Sequence, residues 1–339
     1  MRVRVVIVRF NVCMIIRFEN LKKSLAEKIM PVYLIEGEDA FFRARAAEYI
    51  KNAALQEPDL NLSRYEGGFV KSDPDKIVLD LRSFPFMSEY RVVEVSDWQP
   101  TASELKGDLK KYLSEPNGQS VLIIVNSGKC ESLKKFDSVC VVDCGKADIR
   151  LIISYIRHKA TAARLIINDT TCKKIAEYCL LDMAKIDKET DKLIDYCNGK
   201  AEIDERAVED IVVKDADYKI YEIVSFIAQK NYNKAYEVLK DVTAPAEKQQ
   251  IFVSLYYHFR RMFYASVYKG DSAALAAYLG DSPYPVKKAK EQSAYFSAKR
   301  LKDIVERLAK ADGDFKSGKL SLDNAYDLAI FDILSGENR

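Results

Sequence analysis

The stretch from Tyr33 to Ile50, YLIEGEDAFFRARAAEYI, sets one glycine and two carboxylates between an apolar run and a helical pattern. Strand, short loop and helix in that order are the frame of a phosphate site. The first N–H groups of a helix lack intrahelical partners and carry a partial positive charge. A loop that cradles phosphates also needs several glycines so that backbone amides converge, a Lys for the outer phosphates, and a Ser or Thr hydroxyl for magnesium. Here Gly37 stands alone and is followed by Glu38 and Asp39. Two acids in the first helical turn satisfy the charge that a phosphate would use, and they would repel a triphosphate. Taken alone, these residues read most simply as a strand-to-helix turn with favourable N-terminal acids.

Other chemistry is short of parts. The chain has two histidines, His158 and His258, in separate segments, which leaves little for imidazole acid–base catalysis or a histidine-rich metal site. Its seven cysteines (Cys13, Cys130, Cys140, Cys144, Cys172, Cys179 and Cys197) are odd in number, irregularly spaced and free of any CxxC pair. That usage fits a reducing compartment, with thiols serving as small apolar fillers. Cys140 and Cys144 lack a second ligand pair further along. No GxSxG, HExxH or glycine-rich dinucleotide loop occurs. The expectation is a chain with no catalytic residues, no cofactor and no metal.

Binding chemistry is better supplied. In SFPFM, Ser83–Met87, Pro85 stops a helix whose Ile77, Val78 and Leu81 face inward, and Phe84, Phe86 and Met87 emerge beyond it. These apolar residues either close the core beneath the loop or form a docking patch. Phe252, Tyr256, Phe259 and Phe263 recur at helical spacing and read as a packed face, not a base-stacking platform. Arg260 and Arg261 flank that stripe and could serve a subunit interface. From Tyr284 to Leu320, ten Lys/Arg stand against five Asp/Glu, an excess of five. On charge alone this is a solvated helix face, and phosphate contact is the alternative.

The elements that position these residues follow from patterning. At 339 residues, 48% hydrophobic and 31% charged, the chain suits two or three domains with real cores, and its net charge of +2 excludes no class of partner. From Pro31 to about Asp143 strands alternate with helices. Strands are expected at Val32–Glu36, Arg91–Val95, Val121–Val125 and Ser138–Cys144, and helices at Ala40–Asn52, Pro74–Ser83 and Ser103–Leu113. This order predicts a parallel, doubly wound sheet. Beyond Cys144 only helices are expected: Ala147–Lys159, Asp169–Cys179, Met183–Cys197 and Glu205–Val212. More follow to the end, with turns near Ala244–Pro245, Gly270–Asp271, Gly280–Pro285 and Gly318. The first 18 residues carry four arginines and no acid. They read as an extra strand or as an upstream extension with translation starting at Met14. No stretch reaches membrane-spanning length, so a soluble, cytoplasmic protein is expected.

The order of parts adds a further reading. The chain from about Pro31 onward resembles the delta subunit of the bacterial DNA polymerase III clamp loader. PVYLIEGEDAFFRARA resembles that family's opening strand and helix, SFPFMSEYRVVEV its clamp-contact segment, and LDMAKIDKETDKLIDYC (Leu181–Cys197) its lid helix. PYPVKKAKEQSAYFSAKRLKDIVERLAKADGDFKSGKLS (Pro283–Ser321) is the strongest match. No Ser-Arg-Cys triplet is present, which sets the chain apart from the related delta-prime and motor subunits.

The resemblance implies an N-terminal extension or first strand and helix (1–30), an AAA+-like α/β domain without its ATPase site (31–146), a helical lid (147–213) and a C-terminal helical collar (214–339). It implies binding to the beta sliding clamp through Phe84, Pro85, Phe86 and Met87, with Phe86 and Met87 as the paired plugs. The common family pattern there is an aliphatic residue followed by Phe, from which Phe86-Met87 departs. It also implies opening of the ring, collar contacts to the motor and delta-prime subunits, and primer-template DNA near Lys316 and Lys319. The chain would be a non-catalytic subunit of a polymerase holoenzyme. The rival readings are an active AAA+ nucleotide-binding subunit, a stand-alone α/β enzyme, and a stand-alone helical DNA-binding protein.

Overall fold

A computed structural model describes residues 14–55, 58–240, 244–281 and 283–334. The chain divides into two compact units, Met1–Ile152 and Ile153–Arg339.

The first unit runs β1 (Met14–Arg17), α1 (Leu21–Glu27), β2 (Val32–Glu36), α2 (Ala40–Ala54), α3 (Pro58–Asn61), β3 (Leu62–Glu66), α4 (Gly67–Ser72), α5 (Pro74–Arg82), β4 (Arg91–Ser96), α6 (Gly107–Ser114), β5 (Ser120–Asn126) and β6 (Val139–Asp143). The sheet order is β1-β6-β2-β5-β4-β3, and every pairing is parallel. The expected parallel sheet is therefore present, with one strand more at each edge than the apolar runs suggested. Its centre is buried on both faces, as the continuous Val/Ile/Leu runs require. Val32, Leu34, Leu122 and Ile124 share a core with Ile77, Val78 and Leu81 of α5. Tyr33, Ile35, Val121 and Ile123, also inaccessible, alternate to the other face. There α2 presents Phe42, Ala46 and Ile50.

Two local expectations change, and a third is met in part. β3 and its flanking α3 and α4 were not anticipated, because LSRYE at a sheet edge has no buried residue and hence no apolar alternation. Helix α6 begins at Gly107, not Ser103. Gly107 sits at φ +61°, and Thr101 turns back onto Glu104, whose carboxylate accepts from the Thr101 amide at 2.9 Å. At the N-terminus, the extra strand is seen as Met14–Arg17 on β6. The rest of that segment, residues 1–13, lies outside the described residues.

The second unit is helical. After α7 (Ile149–Ala162) come α8 (Asp169–Tyr178), α9 (Met183–Tyr196), α10 (Glu205–Ile211), α11 (Ala216–Ala228), α12 (Tyr232–Lys240), α13 (Pro245–Val267), α14 (Ser272–Leu279), α15 (Pro283–Ser293), α16 (Ala298–Lys316) and α17 (Leu322–Leu334). Helix starts are set by caps readable in the sequence. Asn168, Asp182, Asp204, Asp215 and Asp271 each accept from an amide two or three residues on. The turn expected over Gly280–Pro285 is shorter, because Pro283 and Pro285 lie in the first turn of α15, where a missing N–H costs nothing. The aromatic stripe of α13 packs as expected. Phe252 and Phe259 are buried, and Tyr256 and Phe263 rest partly buried on the same core, with α11, α16 and α17.

Six cysteines, from Cys130 to Cys197, are free and buried. Burial pushes the Cys144 thiol up to about 12 and Cys172 to about 11, which suits a filler role. Among the described residues no helix is long and apolar enough to cross a membrane.

Candidate functional site

The segment between α5 and β4 carries the docking candidates. Helix α5 starts at Asp73, whose side chain accepts from the Lys76 amide at 3.2 Å, with Pro74 in the first turn. It ends where Ser83 turns to extended backbone and its hydroxyl takes the Leu79 carbonyl at 2.8 Å. Pro85, which has no N–H, then precludes a further turn. Beyond the helix Phe84 is 82% exposed, Phe86 57% and Met87 82%, while Pro85 is half-buried. These side chains do not close the core beneath the loop. Leu60 of α3 and Leu79 of α5 are exposed as well.

The loop backbone is held from below. Asn61, with no solvent exposure, grips Phe86 at both polar groups of its backbone. Its Oδ1 accepts from the Phe86 amide at 2.7 Å, and its Nδ2 donates to the Phe86 carbonyl at 2.8 Å. Met87 follows in the left-handed region at φ +50°, a conformation that costs a side-chain-bearing residue about 1 kcal/mol. The last turn of α5 is tied to the sheet by Asp80, which accepts from the Tyr65 hydroxyl and lies 3.7 Å from the Arg91 guanidinium. Burial, reinforced by Asp80, pushes the Tyr65 hydroxyl up to about 12, so it stays a donor. Asn61, Tyr65, Asp80 and Arg91 were missed in the sequence. Asn61 left one signal, a lone polar residue between Leu60 and Leu62 ahead of a strand.

The carboxyl end of β2 lies between β5 and β6, the switch point where open parallel sheets usually bind ligands. Here the chain's own groups occupy it. Asp39 accepts from the amides of Phe41 and Phe42 at 3.0 and 3.2 Å, and its own amide donates to the Cys144 carbonyl at 3.1 Å. The Arg43 guanidinium donates to the Gly37 carbonyl. Glu36, almost fully buried, meets Lys134 Nζ at 2.6 Å and accepts from the Cys130 amide at 3.1 Å. Gly37 is required by packing: at φ +144° a Cβ would sit 2.2 Å from the Cys144 carbonyl carbon and oxygen. The donors that would hold a phosphate at α2 are thus engaged by Asp39.

In the helical unit, Lys316 and Lys319 are exposed at the α16–α17 turn, and each has an acidic neighbour. Lys316 reaches Asp312 at 2.6 Å and Lys319 reaches Asp314 at 3.4 Å. Lys316 also lines a cavity of about 200 Å³ with Tyr256, Tyr257 and Asp312. Arg261 pairs with Asp281, and Arg260 lies 5.6 Å from the Tyr264 ring centre. His158 is exposed on α7, whereas His258 is buried against Gln292.

Comparison with known proteins agrees with this layout. A family model described as DNA polymerase III, delta subunit matches residues 33–145. A second, described as DNA polymerase III delta subunit, C-terminal domain, matches residues 217–333. The chain is similar to a DNA polymerase III subunit delta of Bacillus subtilis (strain 168), at 21% identity over 94% of this chain and 96% of that protein. Among solved structures, a Bacillus subtilis DNA clamp loader delta protein superimposes with a TM-score of 0.73 at 20% identity, covering 94% of this chain and 99% of that one. That likeness carries the fold, a parallel α/β unit followed by helices. Matched at both ends by the family's own models, in order and along nearly its whole length by a curated relative, the chain belongs to the DNA polymerase III delta subunit family of the clamp loader.

Proposed function

We propose that this chain grips the beta sliding clamp through Phe84, Phe86 and Met87, and that within the loader the grip holds one interface of the ring open. The observation that carries this is the exposure of all three side chains on a loop whose backbone is pinned to the buried Asn61. Burying one large apolar side chain contributes roughly 1.5–3 kcal/mol. Three at one point can anchor a hot spot after association costs are subtracted. Met87 adapts to an irregular pocket, which suits a contact made and released in each loading cycle.

The chain contributes mechanics and leaves ATP to other subunits, since Asp39 engages the α2 amides and a phosphate would meet its charge. Helices after residue 213 form the collar that meets the motor and delta-prime subunits, and those of 147–213 form the lid. Lys316 and Lys319 face primer-template DNA as the collar closes, exchanging Asp312 and Asp314 for phosphates.

Photo-crosslinking tests the contact. A benzophenone amino acid at position 84 or 87 of the full chain should capture the sliding clamp of the same organism, while one at the exposed Leu328 of α17 should not. Equal capture from all three positions, or capture only from 328, would refute the placement.

A further inference from the structure

Three exposed apolar side chains in a flexible loop would fold back onto the surface, because water favours contraction of apolar area. At residues 84–87 three separate devices oppose this. Pro85 fixes its own φ and restricts Phe84 before it. Asn61 holds both the amide and the carbonyl of Phe86, at 2.7 and 2.8 Å. Met87 takes a left-handed conformation that only a supported backbone retains. Of the three, Asn61 alone acts through a side chain from another element, the end of α3, and it does so from a fully buried position. Its neighbour β3 is an edge strand, tied to α5 by Tyr65 and Asp80 and to β4 by register.

We infer that Asn61 is a positioning residue for the clamp grip: it presets the Phe86–Met87 backbone so that the plugs project before the clamp arrives. The inference rests on the proposed clamp-binding role, but its core is a property of the free chain. A site whose competent conformation is only fractionally populated binds more weakly by that fraction. Removal of two hydrogen bonds to the backbone of one residue lowers the competent population about tenfold or more.

The test has two arms on the full chain. In the free protein, NMR hydrogen exchange at the Phe86 amide should be slow in the wild type and accelerate at least about tenfold in Asn61→Ala, with unfolding by urea still cooperative. In the binding arm, Asn61→Ala should weaken clamp affinity about tenfold, with the loss mainly in the association rate, because the bound loop is held by the clamp. Asn61→Ser, a smaller change at the same buried site, should show the same ordering if the alanine variant folds poorly. Fast exchange at Phe86 in the wild type would overturn the inference without any variant. So would unchanged clamp affinity in Asn61→Ala and Asn61→Ser while Phe86→Ala/Met87→Ala loses it, which leaves the clamp role standing. Absence of clamp binding by the wild type would overturn the clamp role and this inference with it.

Discussion

Gly37→Ala should destabilise the α/β unit by about 3 kcal/mol through packing alone. An added Cβ would lie 2.2 Å from the Cys144 carbonyl carbon and oxygen and 2.7 Å from the Gly145 nitrogen. Ordinary contacts between such atoms are roughly 3.5–4.0 Å. The opposing atoms are backbone, and that backbone is fixed by the Asp39 amide on the Cys144 carbonyl and by the Cys144 amide on the Glu36 carbonyl at 2.7 Å. Overpacking costs about 1–3 kcal/mol, and a φ of +144° adds roughly 1–3 kcal/mol for any residue with a Cβ. Urea unfolding followed by fluorescence of Trp98, buried in this unit and the one tryptophan in the chain, measures the loss. A ligand at 100 times its Kd would stabilise the fold by about 2.7 kcal/mol. Millimolar ATP with magnesium should therefore leave the wild-type midpoint in place. A Gly37→Ala variant as stable as wild type, or a clear shift on adding nucleotide, would refute the view that this glycine serves packing and not phosphate.

Two further outcomes follow. Burial lowers the His258 pKa to about 4 despite the hydrogen bond from its ring to Gln292, with Arg261 adding repulsion and Tyr221 packed on the ring 4.9 Å away. Because the unfolded histidine takes its proton first, near 6.5, this contribution is complete above that pH. It falls away towards pH 4 by up to about 3 kcal/mol, so urea midpoints measured across pH 4–7 should decline more steeply in wild type than in His258→Gln. Replacing Lys316 and Lys319 together by alanine should lower the salt slope of clamp loading on primed DNA by about 2; an unchanged slope would remove DNA from that turn.

Much of the fold was legible because it depends on short-range chemistry. Runs such as VLIIV announce a strand buried on both faces, and an Asp or Asn immediately before a helical pattern announces a cap. β3 was illegible because an edge strand reading LSRYE has no fully buried residue and so shows no period. The start of α6 was misplaced because a glycine at positive φ and a Glu104–Thr101 turn outweigh helix propensity. At the candidate site, the proline that ends α5 marked Phe84, Phe86 and Met87 as emerging beyond the helix. Their exposure was not legible, because the same apolar residues could equally have closed the core. Nor was their support: Asn61 lies 25 residues from Phe86, and its partners are backbone groups with no side-chain identity to read. The same holds for Met87, since a left-handed φ leaves no mark when the residue is not glycine.

The central claim is tested most directly by binding of the purified chain to the sliding clamp of its own organism, without nucleotide, as wild type and as Phe86→Ala/Met87→Ala. Loss of two exposed plugs removes roughly 3–6 kcal/mol of burial, so affinity should fall at least a hundredfold while circular dichroism and the urea midpoint stay unchanged. Equal binding by both proteins would contradict the account and move the grip away from the α5–β4 loop.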